Sequence, residues 1–251
     1  MRGMKNNLPK IIAASVTGPY HKAKSLKCQD FFAFAKSSTR LIAVVSDGAG
    51  SAKYGAIGAK HICNTVCQVM SRAKLKNVKQ DVIDAIEAAR DGLLIHRLNK
   101  NKNEDGLIDF AATMIGVVYT HGQGLFFHIG DGAGIALLSE PKDKCIISEP
   151  ENGIFSSETF FYTMDDWKDS LRFTPFENAT SLFLMTDGVT GFALKKNMRA
   201  YEKGFIAPIN EFLQNENNIK YAERALKNTL DTPKAKNLSI DDKTLMWVGL
   251  K

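Results

Sequence analysis

The chain has 251 residues, of which 44% are hydrophobic and 24% are charged, which is typical of an ordinary globular protein. No apolar run approaches the roughly 20 residues of a membrane-spanning helix, and the polar start lacks a secretory signal, so we expect no membrane contact. The net charge of +6 favours an acidic or phosphorylated partner, or solubility alone. No basic stripe is interleaved with aromatic residues, which argues against binding to nucleic acid.

The cysteine pattern predicts the cellular compartment of the protein, and the absence of linkers predicts its number of domains. Its four cysteines form no CxxC pair, which is typical of a reduced, cytoplasmic protein. No Pro/Gly/Ser-rich linker divides the sequence, so we expect residues 1–251 to form a single domain.

The first half of the chain predicts three strands followed by two helices. The strands are Ile11–Thr17, Asp30–Ala35 and Leu41–Ser46. After a glycine-rich stretch, apolar residues recur at spacings of four, three and four, which places Ala59, Cys63, Val66 and Met70 on one helix face. A second helix is predicted over Val78–Asn99, and the polar segment Lys100–Gly106 is predicted to be a loop.

The second half is mostly strands, with two late helices. The predicted strands are Ala112–Thr120, Leu125–Ile129, Gly134–Ser139, Ser181–Thr186 and Thr244–Leu250, and the predicted helices are Phe205–Gln214 and Ile219–Leu230. We interpret the mixed segment Pro150–Asp169 as a flap or rim. This order argues against alternating βαβ units. It predicts an α+β protein, a four-layer α-β-β-α sandwich of two mainly antiparallel sheets flanked by helix pairs.

Acidic residues stand at the ends of several predicted strands. Asp47-Gly48 and Asp187-Gly188 each follow an apolar strand, and Asp131 lies between two glycines after another. Asp30 opens the second strand, and Asp241-Asp242 precedes the last. A single Asp-Gly pair usually marks only a turn. Several rigidly placed carboxylates meeting at one sheet edge, however, are what Mg²⁺ or Mn²⁺ prefers, and the glycines allow close backbone approach.

The ordered set of these motifs resembles the type 2C family of protein phosphatases, in particular its compact bacterial branch. The motifs are Cys28-Gln29-Asp30, Val45-Ser46-Asp47-Gly48-Ala49-Gly50-Ser51, Phe110-Ala111-Ala112-Thr113, Ile129-Gly130-Asp131-Gly132, Met185-Thr186-Asp187-Gly188 and Asp241-Asp242-Lys243-Thr244-Leu245. The resemblance runs from about residue 15 to the end of the sequence. It implies hydrolysis of phosphoserine and phosphothreonine by water bridging two metal ions.

The resemblance also implies a cofactor of two or three Mn²⁺ or Mg²⁺ ions and a role for each aspartate. Asp47 bridges the two core ions, the carbonyl of Gly48 binds one of them, and Asp187 and Asp241 complete the pair. Asp131 helps to hold a third ion together with Asp187. Asp30 acts on the site through metal-bound water, so we expect it to be both a metal-site and a catalytic residue.

Two departures from the family pattern concern catalysis. The arginine that grips the phosphate in many members is absent, and His21 is our candidate phosphate contact, with Lys22, Lys24 and Lys27 as weaker candidates. The position of a proposed general-acid histidine is occupied by Ala49. Two other functions therefore stay open: a pseudophosphatase that binds a phosphoprotein or kinase, and a metal phosphoesterase that acts on a small molecule. For the leading function, the expected partners are a phosphorylated protein and a Ser/Thr kinase or its targets.

Overall fold

The computed structural model describes residues 8–98, 106–140, 144–151 and 159–250. In these ranges the strands are β1 (Lys10–Val16), β2 (Phe31–Lys36), β3 (Arg40–Ser46), β4 (Met114–Thr120), β5 (Gln123–Ile129), β6 (Ala133–Leu138), β7 (Cys145–Ser148), β8 (Arg172–Glu177), β9 (Ala179–Met185) and β10 (Lys243–Gly249). The helices are α1 (Pro19–Ala23), α2 (Gly55–Arg72), α3 (Val78–Leu98), α4 (Asp187–Ala193), α5 (Lys203–Asn215), α6 (Ile219–Leu230) and α7 (Pro233–Leu238).

The described strands form two five-stranded sheets. One has the order β1-β10-β9-β6-β7 and the other β2-β3-β4-β5-β8, and every described pairing is antiparallel. An apolar cluster that includes Val45, Phe126, Leu184 and Met246 fills the space between the sheets. This arrangement confirms the predicted fold class.

The outer faces of the two sheets are covered by helices, which completes four layers. The stripe of α2, with Ile62, Val66 and Met70, packs with α3 over the sheet that contains β3 and β4. The residues Leu213, Ala222 and Leu226 of α5 and α6 cover the other sheet. The predicted stripe of α2, with Ala59, Cys63, Val66 and Met70, is buried as expected. The interior shared by the two sheets supports, but does not test, the prediction of a single domain.

The elements that the sequence did not predict are short or carry ambiguous signals. Strand β7 has four residues, β8 contains Pro175 within an edge strand, and α1 has five residues. Helix α4 begins at the pair Asp187-Gly188, and an Asp-Gly pair by itself is typical of a turn. Each of these elements is held by tertiary contacts, which local periodicity does not report.

The segment predicted to be a flap or rim is partly core. Tyr162 and Trp167 are buried against α2 and α3, whereas residues 152–158 lie outside the described part of the chain. Arg90 of α3 ties the segment down by donating to the carbonyls of Tyr162 and Met164 at 2.8 and 2.6 Å. The predicted loop Lys100–Gly106 also lies outside the described residues, except for Gly106.

Within the described residues, no helix combines the length and apolar character that crossing a bilayer requires.

We predict that the interior between the sheets carries much of the stability. Phe126 is fully buried, so Phe126→Ala should lower the free energy of unfolding by about 3–5 kcal/mol through lost contacts and an unfilled cavity. Phe34→Ala, at a position 42% exposed on β2, is the matched control and should cost less than about 1 kcal/mol. Urea unfolding of both variants measures the difference. Equal losses would contradict this assignment of the core.

Candidate metal centre

The acidic residues converge because their strands end or begin at the same edge of the sandwich. In an antiparallel pair, the end of one strand lies beside the start of its neighbour. The end of β3 therefore lies beside the start of β2, where Phe31 pairs with Ser46, and this pairing brings Asp30 and Asp47 together. In the other sheet, the end of β9 and the start of β10 bring together Asp187 and the Asp241-Asp242 pair.

A cavity of about 230 Å³ opens at this edge. Of the predicted metal-site residues it is lined by Asp47, Gly48, Asp131, Asp187 and Asp241, and Asp30 is buried beside them rather than in the lining. His21, Ala49, Thr113, Thr159 and Phe161 complete much of the wall. The cavity thus brings together residues that are more than 200 positions apart in the sequence.

Threonine hydroxyls hold the carboxylates in place. Thr113 Oγ1 accepts from the backbone N–H of Asp47 at 3.1 Å, and Thr159 Oγ1 donates to Asp131 Oδ2 at 2.8 Å. Thr186 Oγ1 donates to Asp30 Oδ2 at 2.8 Å and accepts from the backbone N–H of Thr244 at 3.0 Å. The last threonine therefore joins the two sheets directly at the centre.

The glycines that follow Asp47 and Asp187 are required by close packing. A Cβ on Gly48 would lie 2.3 Å from the backbone carbonyl carbon of Gly55, at the start of α2. A Cβ on Gly188 would lie 1.9 Å from the backbone oxygen of Asp242. Both contacts are closer than real Cβ atoms come to other atoms, so packing alone requires glycine at these positions.

The corner that carries Asp131 is fixed by a network that sequence reasoning missed. Gly130 has φ +109°, which favours glycine. Arg172 donates from Nη2 to the Gly130 carbonyl at 3.2 Å and from Nη1 to the Glu149 carbonyl at 2.7 Å, and its Nε lies 2.5 Å from Glu151 Oε2. No local signal in the sequence links Arg172 to this corner, because the pairing of β5 with β8 brings Arg172 to Gly130.

The two adjacent aspartates before β10 have different surroundings. Both line the cavity, but Asp241 is exposed there whereas Asp242 is buried. Asp242 Oδ1 accepts from Gly18 N at 2.7 Å, and its Oδ2 accepts from Gln29 N at 2.6 Å and from His21 Nδ1 at 2.8 Å. Asp242 belongs to a motif in which the sequence indicates no role for it, and the structure shows that it orients His21.

The buried ammonium of Lys243 holds the loop that leads to these aspartates. Its Nζ donates to the carbonyls of Ser239 and Asp241, both at 2.8 Å. Tyr20 N also donates to the carbonyl of Ile240 at 3.0 Å, which fastens α1 against the same loop.

Crowding and burial raise the pKa values of the carboxyl groups. Burial, followed by the charges of Asp30 and Asp187, raises the pKa of Asp47 well above its ordinary value. Burial is also the main reason that the pKa of Asp30 rises to about 6 and that of Asp187 to about 7, and it raises the pKa of Asp131. Ionisation of all these groups at neutral pH therefore requires a compensating positive charge.

The donor set fits hard divalent cations. Asp30 Oδ1 and Asp187 Oδ1 are buried and have no hydrogen-bond partner, although buried carboxylate oxygens normally have one. In the described part of the chain, no three His, Cys, Asp or Glu side chains are placed to hold one ion by themselves. Mg²⁺ commonly uses only one or two carboxylates per ion and keeps several waters, so this arrangement suits it.

The candidates for the phosphate contact separate clearly. The imidazole of His21 is at the cavity wall, and a Cβ on Gly50 would lie 3.9 Å from its Nε2. Lys22 pairs with Asp231 at 2.9 Å, and Lys24 contacts the Tyr20 hydroxyl. Lys22, Lys24 and Lys27 do not line the cavity, so the structure favours His21.

The fold and the carboxylate cluster together define a divalent-cation centre at one edge of a four-layer sandwich. Residues 17–231 match the protein phosphatase 2C family. This match covers well over half of the chain, so the chain belongs to the protein phosphatase 2C family, as the sequence motifs predicted. A metal-dependent mechanism is general in this family.

Individual proteins with a similar sequence or fold agree with this assignment. Serine/threonine-protein phosphatase 3 of Escherichia coli strain K12 is 27% identical over 246 residues, which cover 94% of this chain and 96% of that protein. The catalytic domain of the serine/threonine protein phosphatase PstP, in complex with two manganese ions, shares the fold with a TM-score of 0.63 at 12% identity, covering 96% of this chain and 98% of that one. RsbX in complex with magnesium gives a TM-score of 0.60 at 16% identity, covering 98% of both chains.

We predict that pH and metal act oppositely on stability. Carboxyl groups with raised pKa values bind protons more tightly in the folded protein than in the unfolded one. Their contribution to the stability of the folded state is therefore fully present below the ordinary pKa of 3.8 and is lost as the pH rises through about 6 to 7. The melting temperature of the metal-free protein should therefore fall between pH 5 and pH 8, and Mn²⁺ should raise it at pH 8.

The variant Asp47→Asn isolates this effect. At pH 8 without metal it should melt above the wild type, because asparagine removes the cost either of ionising this buried group or of keeping it protonated at this pH, and Mn²⁺ should raise its melting temperature less. Asp91→Asn on the exposed surface of α3 is the matched control and should behave like the wild type. A metal-free Asp47→Asn protein that melts below the wild type at pH 8 would contradict the predicted repulsion.

Proposed function

We propose that this protein hydrolyses phosphoserine and phosphothreonine monoesters of proteins at the cavity beside Asp47, with Mn²⁺ or Mg²⁺ as cofactor. The observation that carries the proposal is the convergence of Asp30, Asp47, Asp131, Asp187 and Asp241, with two buried carboxylate oxygens left unpartnered. When bound, such ions stabilise charge on phosphoryl oxygens and activate water as a nucleophile.

The family resemblance suggests the protein ligands, and their positions at the cavity support the assignment. Asp47, the carbonyl of Gly48, Asp187 and Asp241 would hold the two core ions, and Asp131 would hold a third together with Asp187. Asp30 contacts Asp47 and is fixed by Thr186. It therefore influences the position and the pKa of Asp47 without lining the cavity itself. A cluster of this kind supports charge stabilisation and positioning, which dominate catalysis of phosphoryl transfer.

His21 takes the role of the missing arginine in this proposal. Because Asp242 accepts from two backbone N–H groups as well as from His21, it acts as a carboxylate, and Nδ1 of His21 is the donor. The imidazole is thereby oriented with Nε2 free for the cavity. In its protonated form His21 donates from Nε2 to a phosphate oxygen. Ala49 also lines the cavity and has no group that exchanges a proton.

The cellular setting follows from the same proposal. The substrates are phosphorylated proteins, and we propose that they are products of a Ser/Thr kinase that acts opposite this enzyme. All four cysteines are free thiols, which supports the predicted cytoplasmic location.

The first test is turnover of a phosphothreonine peptide by metal-stripped protein with Mn²⁺ or Mg²⁺ restored. Asp47→Asn should lower kcat by more than about 100-fold, since loss of a direct ligand should exceed the 10–100-fold typical of outer-shell changes. Asp91→Asn should retain full activity. Metal binding without turnover would indicate the pseudophosphatase, whereas turnover of phosphorylated metabolites in preference to peptides would indicate the small-molecule phosphoesterase.

We further predict that Asp242 acts as a positioning residue through His21. Asp242→Asn should lower kcat about 10–100-fold and change the pH profile, because the amide favours a different imidazole tautomer, while Mn²⁺ affinity stays within about threefold. The decisive measurement is the double variant with His21→Ala. If Asp242 acts only through His21, Asp242→Asn causes no further loss in the His21→Ala background. Full additivity would show that Asp242 has only a structural role.

A further inference from the structure

A second groove opens from the catalytic cavity. It has a volume of about 470 Å³ and shares three wall residues with the cavity: Asp131, Asp187 and Asp241. It continues past α4 and along the loop between α7 and β10. A volume of this size accommodates several side chains. Any polypeptide with a phosphorylated residue at the aspartates therefore has a continuous surface on which its neighbouring residues can lie.

Large apolar side chains are exposed along this groove. Leu238 is 54% exposed and Ile240 is 57% exposed, and both line it. They are not needed to hold α7 in place, since the buried residue of this helix is Ala235. Adjacent exposed apolar residues next to a catalytic centre are typical of a binding surface.

The groove is also lined by Met198, which lies in a tight turn. Met198 has φ +57°, an uncommon conformation outside glycine, and the turn is closed by hydrogen bonds from Lys195 N to Ala200 O and from Met198 N to Lys195 O, both 2.8 Å. Methionine adapts its shape to different apolar partners. The same turn exposes the basic side chains of Lys195, Lys196 and Arg199.

Gly191 of α4 also lines the groove and leaves open space beside it. A Cβ added to Gly191 would meet no atom within 4 Å, so α4 presents no obstruction there. The groove thus combines an apolar side, an adaptable methionine and a basic edge that complements an acidic polypeptide.

We infer that this groove binds the segment of a phosphoprotein next to its phosphorylated residue, and that Leu238 and Met198 select a large apolar side chain there. This inference rests on the proposed function and adds a substrate preference to it. Because the groove begins at the shared aspartates and an extended chain advances about 3.3 Å per residue, the selected side chain is within a few residues of the phosphorylated one. Lys195, Lys196 and Arg199 favour acidic residues further along.

The experiment compares phosphothreonine peptides that carry leucine or alanine at each of the three positions on either side. For the wild type, leucine at the preferred position should raise kcat/KM about tenfold, the value of a side chain that gains a few methylene contacts. Leu238→Ser should reduce this preference to about twofold or less, and Leu238→Met should retain it. Ile95→Ser, at a position 60% exposed on α3, is the matched control and should keep the full preference.

Turnover of p-nitrophenyl phosphate separates the groove from the catalytic centre. If Leu238→Ser lowers kcat/KM equally for this small ester and for both peptides, Leu238 supports the centre and the inference is overturned. A wild type that turns over all peptides without preference also overturns it, but leaves the proposed function intact. If p-nitrophenyl phosphate is hydrolysed and no phosphopeptide is, the proposed function itself fails.

Discussion

The mutual repulsion of buried carboxylates at one edge of the sandwich is the constraint on which the rest of the structure depends. Burial raises the pKa values of Asp30, Asp47 and Asp187. Neighbouring charges add to this effect, because Asp30 and Asp187 raise the pKa of Asp47, and Asp131, Asp241 and Asp30 raise that of Asp187. A fold that places these groups together loses stability at neutral pH unless cations compensate for the charge. The charges that repel one another and destabilise the metal-free protein are the same charges that attract the ions, so the centre has a high affinity for metal.

The rigidity needed to sustain this strain comes from the contact between the two sheets. Thr186, at the end of β9, donates to Asp30 from the other sheet and is itself fixed by Thr244 of β10. A shift of one sheet against the other would break this connection and move Asp30 away from Asp187. The packing around Phe126 between the sheets therefore fixes the geometry of the centre. A site assembled from the strand ends of two sheets needs a large, well-packed interior for this reason.

The parts of the site that could be predicted were those with a local signal. An aspartate directly after a buried strand, followed by glycine, is visible in the sequence, and Asp47 and Asp187 are placed as their strands indicated. Thr159, Arg172 and Asp242 were not assigned a role, because each acts through a residue that is distant in sequence: Asp131, Gly130 and His21. Their partners are fixed by sheet pairing and loop closure, and neither periodicity nor turn chemistry carries that information.

The surface around the cavity has two neighbouring regions of opposite charge. The centre is acidic and attracts cations, while the nearby turn of Lys195, Lys196 and Arg199 is basic and attracts an acidic polypeptide. A phosphorylated chain is drawn to both features, its phosphate to the ions and its flanking carboxylates to the turn. Leu238 and Met198 line the groove that adjoins the centre, where an apolar side chain of the substrate can be desolvated. In our proposal, selection of the flanking side chain at Leu238 and Met198 and chemistry at the aspartates use adjoining parts of the same surface.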